Sequence, residues 1–432
     1  MNEMPRSRNR SMQDLMPVLK PLLSMSLRAL TLVSRFFLLF ILATVLSPND
    51  FGFFGLFSAL VVFLQYVAGG EFYVYSARTA LSDSKVRAAD VLMSHAAFLS
   101  ATCMLVMVPY LFFVFFYAES NWASVGYFFL PIFLFELIGQ ECGRLLVALG
   151  RPFGAGVVSF CRSGIWPAAM GFWVLMYPNS IDLDVLMWGW LIGSLSGVVA
   201  AVFLVSDFFE RGRTWFFLGR RWLVSGFGVC LPYWASSLAL KVTGSLDRFW
   251  FESLAGGDVL AAFVLYAGIA GAVGSFLDAG VFSYLYPRMV RYWQQDKPRE
   301  FMAVTKKMLL VSVLVSAFCM LAVLLVFPCA SWFIKEDVYF EHIEILAFLL
   351  LSQVFFAVSM VAHFSLYSQR ADKVLLLCHL AMLPVFAVVV YGVSFFSPLY
   401  AVPLGVCGAF LFLMAIKWYF YFGLTPLSFR IF

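Results

Sequence analysis

Hydrophobic residues occur in long runs along almost the whole chain, and only short polar segments separate these runs. A helix that crosses a membrane needs roughly 20 mainly apolar residues. The pattern predicts twelve such helices, at 23–46, 51–70, 91–116, 123–146, 155–177, 185–208, 223–252, 259–285, 304–327, 343–366, 374–395 and 399–421. The polar segments are too short for a separate catalytic domain, and no GxxxxGK(S/T) phosphate-binding loop occurs.

The composition supports a membrane protein. Hydrophobic residues make up 63% of the chain and charged residues only 12%, whereas about 25% of residues are charged in soluble globular domains. The eight cysteines include no CxxC pair and the four histidines are scattered, so neither a metal site nor another cofactor is predicted. We therefore expect an all-α polytopic membrane protein.

Basic residues are unevenly distributed among the polar segments. With the N-terminus inside, they concentrate in the inner segments 6–20, 85–87, 211–221, 288–299 and 370–373. The outer segments are mainly acidic. Because cytoplasmic loops carry such an excess of lysine and arginine, both termini are predicted to be cytoplasmic. The net charge of +5 follows from this topology and does not indicate a nucleic-acid partner.

The same pattern predicts the domain organisation. The first apolar run exceeds the roughly 7–15 residues of a signal-peptide core, so a cytoplasmic tail is expected before the first span. The predicted regions are a basic cytoplasmic tail at 1–22, a six-helix bundle at 23–208, a basic cytoplasmic linker at 209–222, a second six-helix bundle at 223–421 and a cytoplasmic tail at 422–432.

The two bundles resemble each other in sequence. The stretch LSPNDFGFFGLFSA (46–59) aligns with LAGGDVLAAFVLYA (254–267), and GEFYVYSAR (70–78) aligns with GVFSYLYPR (280–288). Six helices per half is an even number, so both halves enter the membrane in the same direction. Transporters with parallel repeats bind substrate between their halves near the middle of the membrane.

Four basic residues lie inside the predicted spans. Arg28 and Arg35 are seven residues apart, as are Lys241 and Arg248, so each pair shares one helical face. A charge at the bilayer centre costs at least about 2.5–3.5 kcal/mol and generally faces the bundle interior or water. We expect these four residues to bind an anionic substrate. The alternatives are pairing with acidic residues or, for Arg28, contact with lipid headgroups.

Acidic residues also occur inside the spans. Glu136 and Glu141 lie in the fourth predicted helix and Asp278 in the eighth. Because buried carboxylates can bind and release protons, these three are candidates for coupling transport to a proton gradient. A fixed ion pair between helices is the alternative for each.

Two short segments, one in each half of the chain, resemble segments of a known family. Leu46, Ser47, Pro48, Asp50, Phe51, Gly52 and Phe54 fit the pattern L-S-P-x-(D/E)-(F/Y)-G-x-(F/Y). This pattern is similar to the opening of polysaccharide transporters in the multidrug/oligosaccharidyl-lipid/polysaccharide (MOP) exporter superfamily. The pair Asp247–Arg248 resembles an Asp-Arg or Asp-Lys pair of that family. Twelve helices in two halves, an arrangement shared with MATE transporters, also agree.

The resemblance implies a function, a location and partners. It implies a flippase that moves an oligosaccharide linked to undecaprenyl pyrophosphate, such as an O-antigen or exopolysaccharide repeat unit. The movement would be from the cytoplasmic to the periplasmic leaflet of a bacterial inner membrane. Membrane lipids, a polysaccharide polymerase and a chain-length regulator are the further partners that it implies.

Two other functions are compatible with a polytopic membrane protein. A multidrug or cation antiporter of the same superfamily should have acids rather than cations in its cavity. An integral-membrane glycan polymerase or glycosyltransferase would need a longer outer loop carrying catalytic residues. We therefore expect a transporter and not an enzyme.

Overall fold

The computed structural model describes residues 8–82, 87–117, 120–209 and 216–431, and these residues form helices and connecting turns without any strand. The helices are α1 (Arg8–Val45), α2 (Pro48–Gly69), α3 (Tyr73–Ser82), α4 (Ala88–Tyr117), α5 (Ser120–Ala148), α6 (Pro152–Phe160), α7 (Trp166–Met176), α8 (Leu183–Ser206), α9 (Arg220–Ser245), α10 (Asp247–Ala255), α11 (Gly257–Leu277), α12 (Ser283–Gln294), α13 (Pro298–Val326), α14 (Val338–Glu341), α15 (Ile343–Ser368), α16 (Asp372–Ser394) and α17 (Pro398–Leu424). The predicted all-α fold is thus confirmed. Two π-helical turns, Cys161–Ile165 and Asp278–Phe282, join α6 to α7 and α11 to α12.

Eleven helical segments of the described chain are long and apolar enough to cross a membrane. They correspond to eleven of the twelve predicted spans, so the protein is a multi-pass membrane protein. The predicted span at 155–177 is not among them. It falls on α6, the π-helical turn and α7, and this stretch carries Arg162.

The described chain divides into two compact units. Unit 1 contains the described parts of Met1–Phe37, Phe72–Phe172 and Asp184–Gly228, and unit 2 those of Leu38–Glu71, Trp173–Leu183 and Val229–Phe432. Helices α1, α7, α8 and α9 contribute residues to both units, α8 only by its first residue. Parts of the predicted basic segments, namely residues 1–7, Lys85, Arg211 and Arg213, lie outside the described residues.

Local sequence explains where α2 begins and ends. The Ser47 hydroxyl accepts a hydrogen bond from the backbone N–H of Asp50 at 3.2 Å, and Pro48 occupies the first turn, where its missing N–H costs nothing. At the other end, Gly70 has a φ of 59° and caps the helix. A glycine adopts this left-handed conformation without the steric cost of a Cβ.

In unit 1, α1 packs against α6 and the following π-helical turn through small residues. The Ser24 hydroxyl donates to the carbonyl oxygen of Pro152 at 3.2 Å. A Cβ on Gly156 would meet the Ser24 Oγ at 3.4 Å, and a Cβ on Gly164 would meet the Thr31 Oγ1 at 3.2 Å. The absence of side chains at the two glycines therefore lets the helices approach closely.

In unit 2, the two helices that contain the first pair of repeated motifs pack on each other. A Cβ on Gly55 of α2 would lie 2.2 Å from the Val264 Cγ2 of α11, and one on Gly52 would lie 3.2 Å from Leu260 Cδ2. Helices α15, α16 and α17 form the other main packing layer of this unit. The core of unit 2 thus includes a helix from the first sequence repeat.

Candidate functional site

Arg28 and Arg35 lie on α1 with exposed side chains. At 3.6 residues per turn, both lie within about 60° of the buried Ser24 and Thr31 around the helix axis. Val33, which is 64% exposed, lies on the opposite side. The two arginines therefore border the packed face of α1 in unit 1, whereas its most exposed face is apolar.

Lys241 lies on α9 in unit 2, where an aromatic residue faces it. Its Nζ is 4.6 Å from the centroid of the Tyr66 ring of α2. The Trp234 Nε1 donates to the backbone carbonyl oxygen of Tyr66 at 3.0 Å, so the tyrosine is held between two residues of α9. A cation over a ring face is stabilised by about 0.5–2 kcal/mol. Lys241 is thus half-buried and positioned by an aromatic side chain.

Arg248 follows Asp247 at the beginning of α10. The Asp247 Oδ1 accepts from the backbone N–H of Arg248 at 3.0 Å, and the Arg248 Nη1 donates to the carbonyl oxygen of Gly55 at 3.5 Å. Asp247 is buried and Arg248 half-buried. The guanidinium therefore reaches the backbone of α2, within the same unit.

The three acidic candidates lie in different environments. Asp278 is exposed and begins the π-helical turn between α11 and α12. Glu136 and Glu141 are buried in unit 1, five residues apart on α5. The structure therefore brings only the two glutamates into the same region of one unit.

Glu136 is held by contacts from two other segments. Its Oε1 accepts from Trp190 Nε1 at 3.0 Å, and its Oε2 lies 3.0 Å from the Arg162 Nη1. The same Nη1 donates to the backbone carbonyl oxygen of Glu136 at 2.8 Å. This is the geometry of a fixed ion pair between helices, the alternative considered from the sequence.

Two glycines make room for the Arg162 side chain. A Cβ on Gly139 of α5 would lie 2.7 Å from the Arg162 Cδ, and one on Gly197 of α8 would lie 2.5 Å from its Cβ. The arginine stem therefore passes between α5 and α8 before it reaches Glu136. Its role is to join three helical segments inside unit 1.

Glu141 belongs to a line of polar side chains that includes a histidine. Its Oε1 accepts from Arg144 Nη1 at 3.0 Å, and its Oε2 lies 3.5 Å from His95 Nε2 without a hydrogen bond. The other ring nitrogen of His95, Nδ1, is 2.9 Å from the Ser76 hydroxyl. The Arg144 guanidinium also lies 5.0 Å from the Tyr73 ring centroid. A carboxylate and an imidazole this close can exchange a proton.

The sequence gives no local signal for several of these partners. His95, Trp190 and Tyr66 are far along the chain from the charged residues that they contact, and no motif connects them. Glu136, Gln140 and Arg144 are spaced four residues apart in the sequence and so share one face of α5, but this spacing does not identify what covers that face.

Comparisons with known proteins agree with this architecture. No protein-family model matches the sequence, and no curated protein is significantly similar to it. Solved structures do match over nearly the full length. One shows the outward-facing conformation of a multidrug resistance MATE family transporter of the MOP superfamily, with a TM-score of 0.58, 15% identity, and 93% of this chain and 95% of that chain covered.

Two further structures match equally well. A MATE protein in its straight conformation has a TM-score of 0.59, 16% identity and 94% coverage of both chains. A MOP superfamily transporter from Pyrococcus furiosus, whose description reports a binding pocket of reverse polarity, has a TM-score of 0.58, 15% identity, and 94% and 93% coverage. The chain therefore has the fold of the MATE transporters of the MOP superfamily.

Proposed function

We propose that the protein is a flippase for an oligosaccharide linked to undecaprenyl pyrophosphate, such as an O-antigen or exopolysaccharide repeat unit. The observation that carries the proposal is the presence of basic side chains in apolar helices of a transporter fold. Arg28 and Arg35 border the packed face of α1, and Lys241 lies over an aromatic ring on α9. A pyrophosphate needs such cations on its way across a membrane.

In the proposed mechanism the protein alternates between inward-open and outward-open states while the lipid tail remains in the bilayer. The planar guanidinium groups of Arg28 and Arg35 suit phosphate oxygens because they donate hydrogen bonds in pairs. Lys241 contributes a point charge, and the Tyr66 ring beside it offers an apolar face on which a sugar can stack. Arg248, whose guanidinium lies beside the backbone of α2, is the fourth proposed substrate-binding residue.

Proton coupling is assigned to Glu141 rather than to Glu136. Glu136 is held by Arg162 and Trp190, so a proton on it would break a buried ion pair. Glu141 also pairs with Arg144, through its Oε1 at 3.0 Å, but its Oε2 faces His95 Nε2, and these two atoms make no hydrogen bond with the described residues. Asp278 is the alternative coupling residue, because its exposed carboxylate lies at a π-helical turn, a feature frequent at functional sites.

A multidrug antiporter is the second candidate function. Two of the structures described above are MATE proteins, one of them a multidrug resistance transporter, and unit 1 contains buried acids. The third structure, from Pyrococcus furiosus, is described as having a pocket of reverse polarity and a different function. Basic residues in the spans of this chain are better suited to an anionic lipid-linked substrate than to a cationic drug.

The proposed function implies a location and a set of partners. A flippase of this kind acts in a bacterial inner membrane with both termini in the cytoplasm. Its partners would be the lipid-linked glycan, membrane lipids, a polysaccharide polymerase and a chain-length regulator. Its activity is transport and not catalysis.

Complementation of a flippase-null strain tests the proposal. Surface glycan is measured on gels for the wild type and for Arg35→Ala, Arg35→Lys and Lys241→Ala at matched amounts in the membrane. We expect the wild type to restore glycan, both alanine variants to lose at least about 90% of export, and Arg35→Lys to retain part of it. One lost phosphate contact of about 1.5–3 kcal/mol corresponds to such a tenfold or larger effect.

Lys297→Ala is the matched control, since it removes an exposed lysine at the beginning of α13. It should export as well as the wild type. Normal export by both alanine variants would mean that the charges have a structural role. Resistance to cationic dyes without restored glycan would instead support the antiporter.

A further inference from the structure

A cluster of nitrogen-containing side chains lies inside unit 2. Lys417 of α17 is fully buried, and His379 of α16 is only 3% exposed. The His363 ring of α15 stacks on that of His379, with centroids 5.6 Å apart and planes inclined by 12°. The helix that carries Lys417 packs on both α15 and α16, and Tyr421, one turn beyond Lys417, shares a buried cluster with Ala362, which precedes His363. The neighbouring helices α15, α16 and α17 thus each contribute one nitrogen-containing side chain to the cluster.

The hydrogen bonds of this cluster are incomplete. Lys417 Nζ, His363 Nδ1 and His379 Nε2 are buried and have no hydrogen-bond partner among the described residues. They do not bond to one another either, although an imidazole nitrogen could accept from the ammonium group. A buried polar group without a partner costs about 1–3 kcal/mol, and a charged one costs more.

The one hydrogen bond that is present orients His379. The Ser236 hydroxyl of α9 is paired with His379 Nδ1. If this hydroxyl donates, the neutral ring carries its proton on Nε2. The free Nε2–H is then a donor in the cluster, like the ammonium group of Lys417.

Neighbouring titratable groups do not supply a negative charge. Lys417 forms no salt bridge with a described carboxylate. The nearest acid on α16 along the chain, Asp372, accepts from the Tyr233 hydroxyl at 3.2 Å. The Tyr421 hydroxyl accepts from the backbone N–H of Ile431 at 3.1 Å. Cys378, which precedes His379 on α16, is a buried free cysteine and carries a thiol in place of a carboxylate.

We propose that Lys417, His363 and His379 form a binding site for a small monovalent inorganic anion such as chloride. An anion is the species that satisfies both the unpartnered donors and the uncompensated ammonium charge. One charge is sufficient because both imidazoles can stay neutral. A small ion is proposed because Lys417 is fully buried and His379 is only 3% exposed, so the ligand must lie inside the protein.

The bound anion would have a structural role. By contacting residues of α15, α16 and α17, the anion would hold these three helices together. This role does not depend on which substrate the protein moves. Anion binding should therefore raise the thermal stability of the protein, which can be measured without a transport assay.

Thermal unfolding of the purified full-length protein in detergent is the first test. Chloride replaces gluconate at constant ionic strength and pH, and Tm is recorded. For the wild type we expect Tm to rise by about 3–5 °C at chloride concentrations near 100 times Kd. Lys417→Met should remove the dependence on chloride. Lys297→Met, the same change at an exposed position, should keep it.

Three outcomes would overturn the proposal. The first is a wild-type Tm that does not respond to chloride. The second is a response that persists in Lys417→Met, which would indicate a general salt effect. The third is a Tm difference between wild type and Lys417→Met that follows pH and not chloride, which would indicate a proton-binding cluster.

A second measurement does not depend on whether Lys417→Met folds. Crystals of the wild type grown in bromide are measured at the bromine absorption edge. An anomalous peak within hydrogen-bond distance of Lys417 Nζ would support the site, and occupied bromide sites elsewhere with none at this cluster would contradict it.

Discussion

Arg162 and the two arginines of α1 show two different ways in which this protein accommodates charge in its apolar segments. Arg162 lies between two glycines and meets Glu136 and Trp190 inside unit 1. Arg28 and Arg35 have exposed side chains beside the packed face of α1. Since a charge in the membrane costs several kcal/mol, the first arrangement repays that cost with an ion pair. For Arg28 and Arg35, our proposal is that substrate binding offsets this cost.

Glu136→Gln should destabilise the protein. The change leaves the Arg162 guanidinium buried without its counter-charge, which typically costs about 3–5 kcal/mol. We expect a clear fall in Tm in detergent. Replacing both partners, as in Glu136→Leu with Arg162→Met, should recover most of the loss, because apolar pairs often substitute well for buried ions. A double variant as unstable as the single one would contradict a simple ion-pair role.

Glu141→Gln should fold but should change how transport responds to pH. The amide cannot exchange a proton with His95, so the initial transport rate in proteoliposomes should no longer vary with a pH gradient. Asp207→Asn is the matched control, because it makes the same change at an exposed acid that pairs with Arg151. If Glu141→Gln keeps the pH response and Asp278→Asn loses it, the coupling residue is Asp278.

The candidate site could be predicted from the sequence only in part. Charged residues in apolar runs are visible without a structure, and so is the polar face of α5. Their partners are not, because His95 and Trp190 approach the glutamates only through the packing of separate helices. The sequence therefore leaves open which acid is fixed and which is free to exchange protons.

At the scale of helices, the sequence carries signals for the ends of α2 but not for its packing. Ser47 with Pro48 and the Gly69–Gly70 pair mark the two ends of α2. The packing of α2 on α11 has no comparable signal. In a membrane, the lipid-facing and core-facing sides of a helix are equally apolar, so hydropathy does not show which side is buried. Small residues such as Gly52 and Gly55 are the remaining indication of a close helix contact.

Gly55→Ala should weaken the contact between α2 and α11. The new Cβ would lie 2.2 Å from Val264 Cγ2, and overpacking of this kind typically costs about 1–3 kcal/mol. We expect a lower Tm, which Val264→Ala in the same chain should partly restore by removing the clashing methyl groups. Gly271→Ala is the control, because nothing lies within 4 Å of its added Cβ. An unchanged Tm for Gly55→Ala would show that the two helices separate easily.

At the scale of the whole molecule, the orientation in the membrane remains a prediction from the distribution of basic residues. Cys329 provides a direct test. It is the one exposed cysteine of the eight, all of which the structure describes, and it lies in the 3-10 helical turn Phe327–Trp332 after α13. The predicted topology places this turn on the outer face.

A membrane-impermeant maleimide should therefore label Cys329 in spheroplasts without lysis. Labelling is measured by a gel shift of the purified protein, and Cys329→Ser should abolish it. Labelling that requires lysis would place this turn in the cytoplasm, and the predicted orientation of the termini would then be inverted.

The passage of Arg162 between Gly139 and Gly197 also restricts how this protein can evolve. An alanine at either glycine position collides with the arginine stem, and loss of Glu136 leaves the arginine buried without its counter-charge. Single substitutions in this group are therefore harmful, whereas joint replacement by a smaller apolar set is tolerated. Among descendants of one ancestor, these four positions should change together or not at all, so their covariation would report the helix contacts of unit 1 without a further structure.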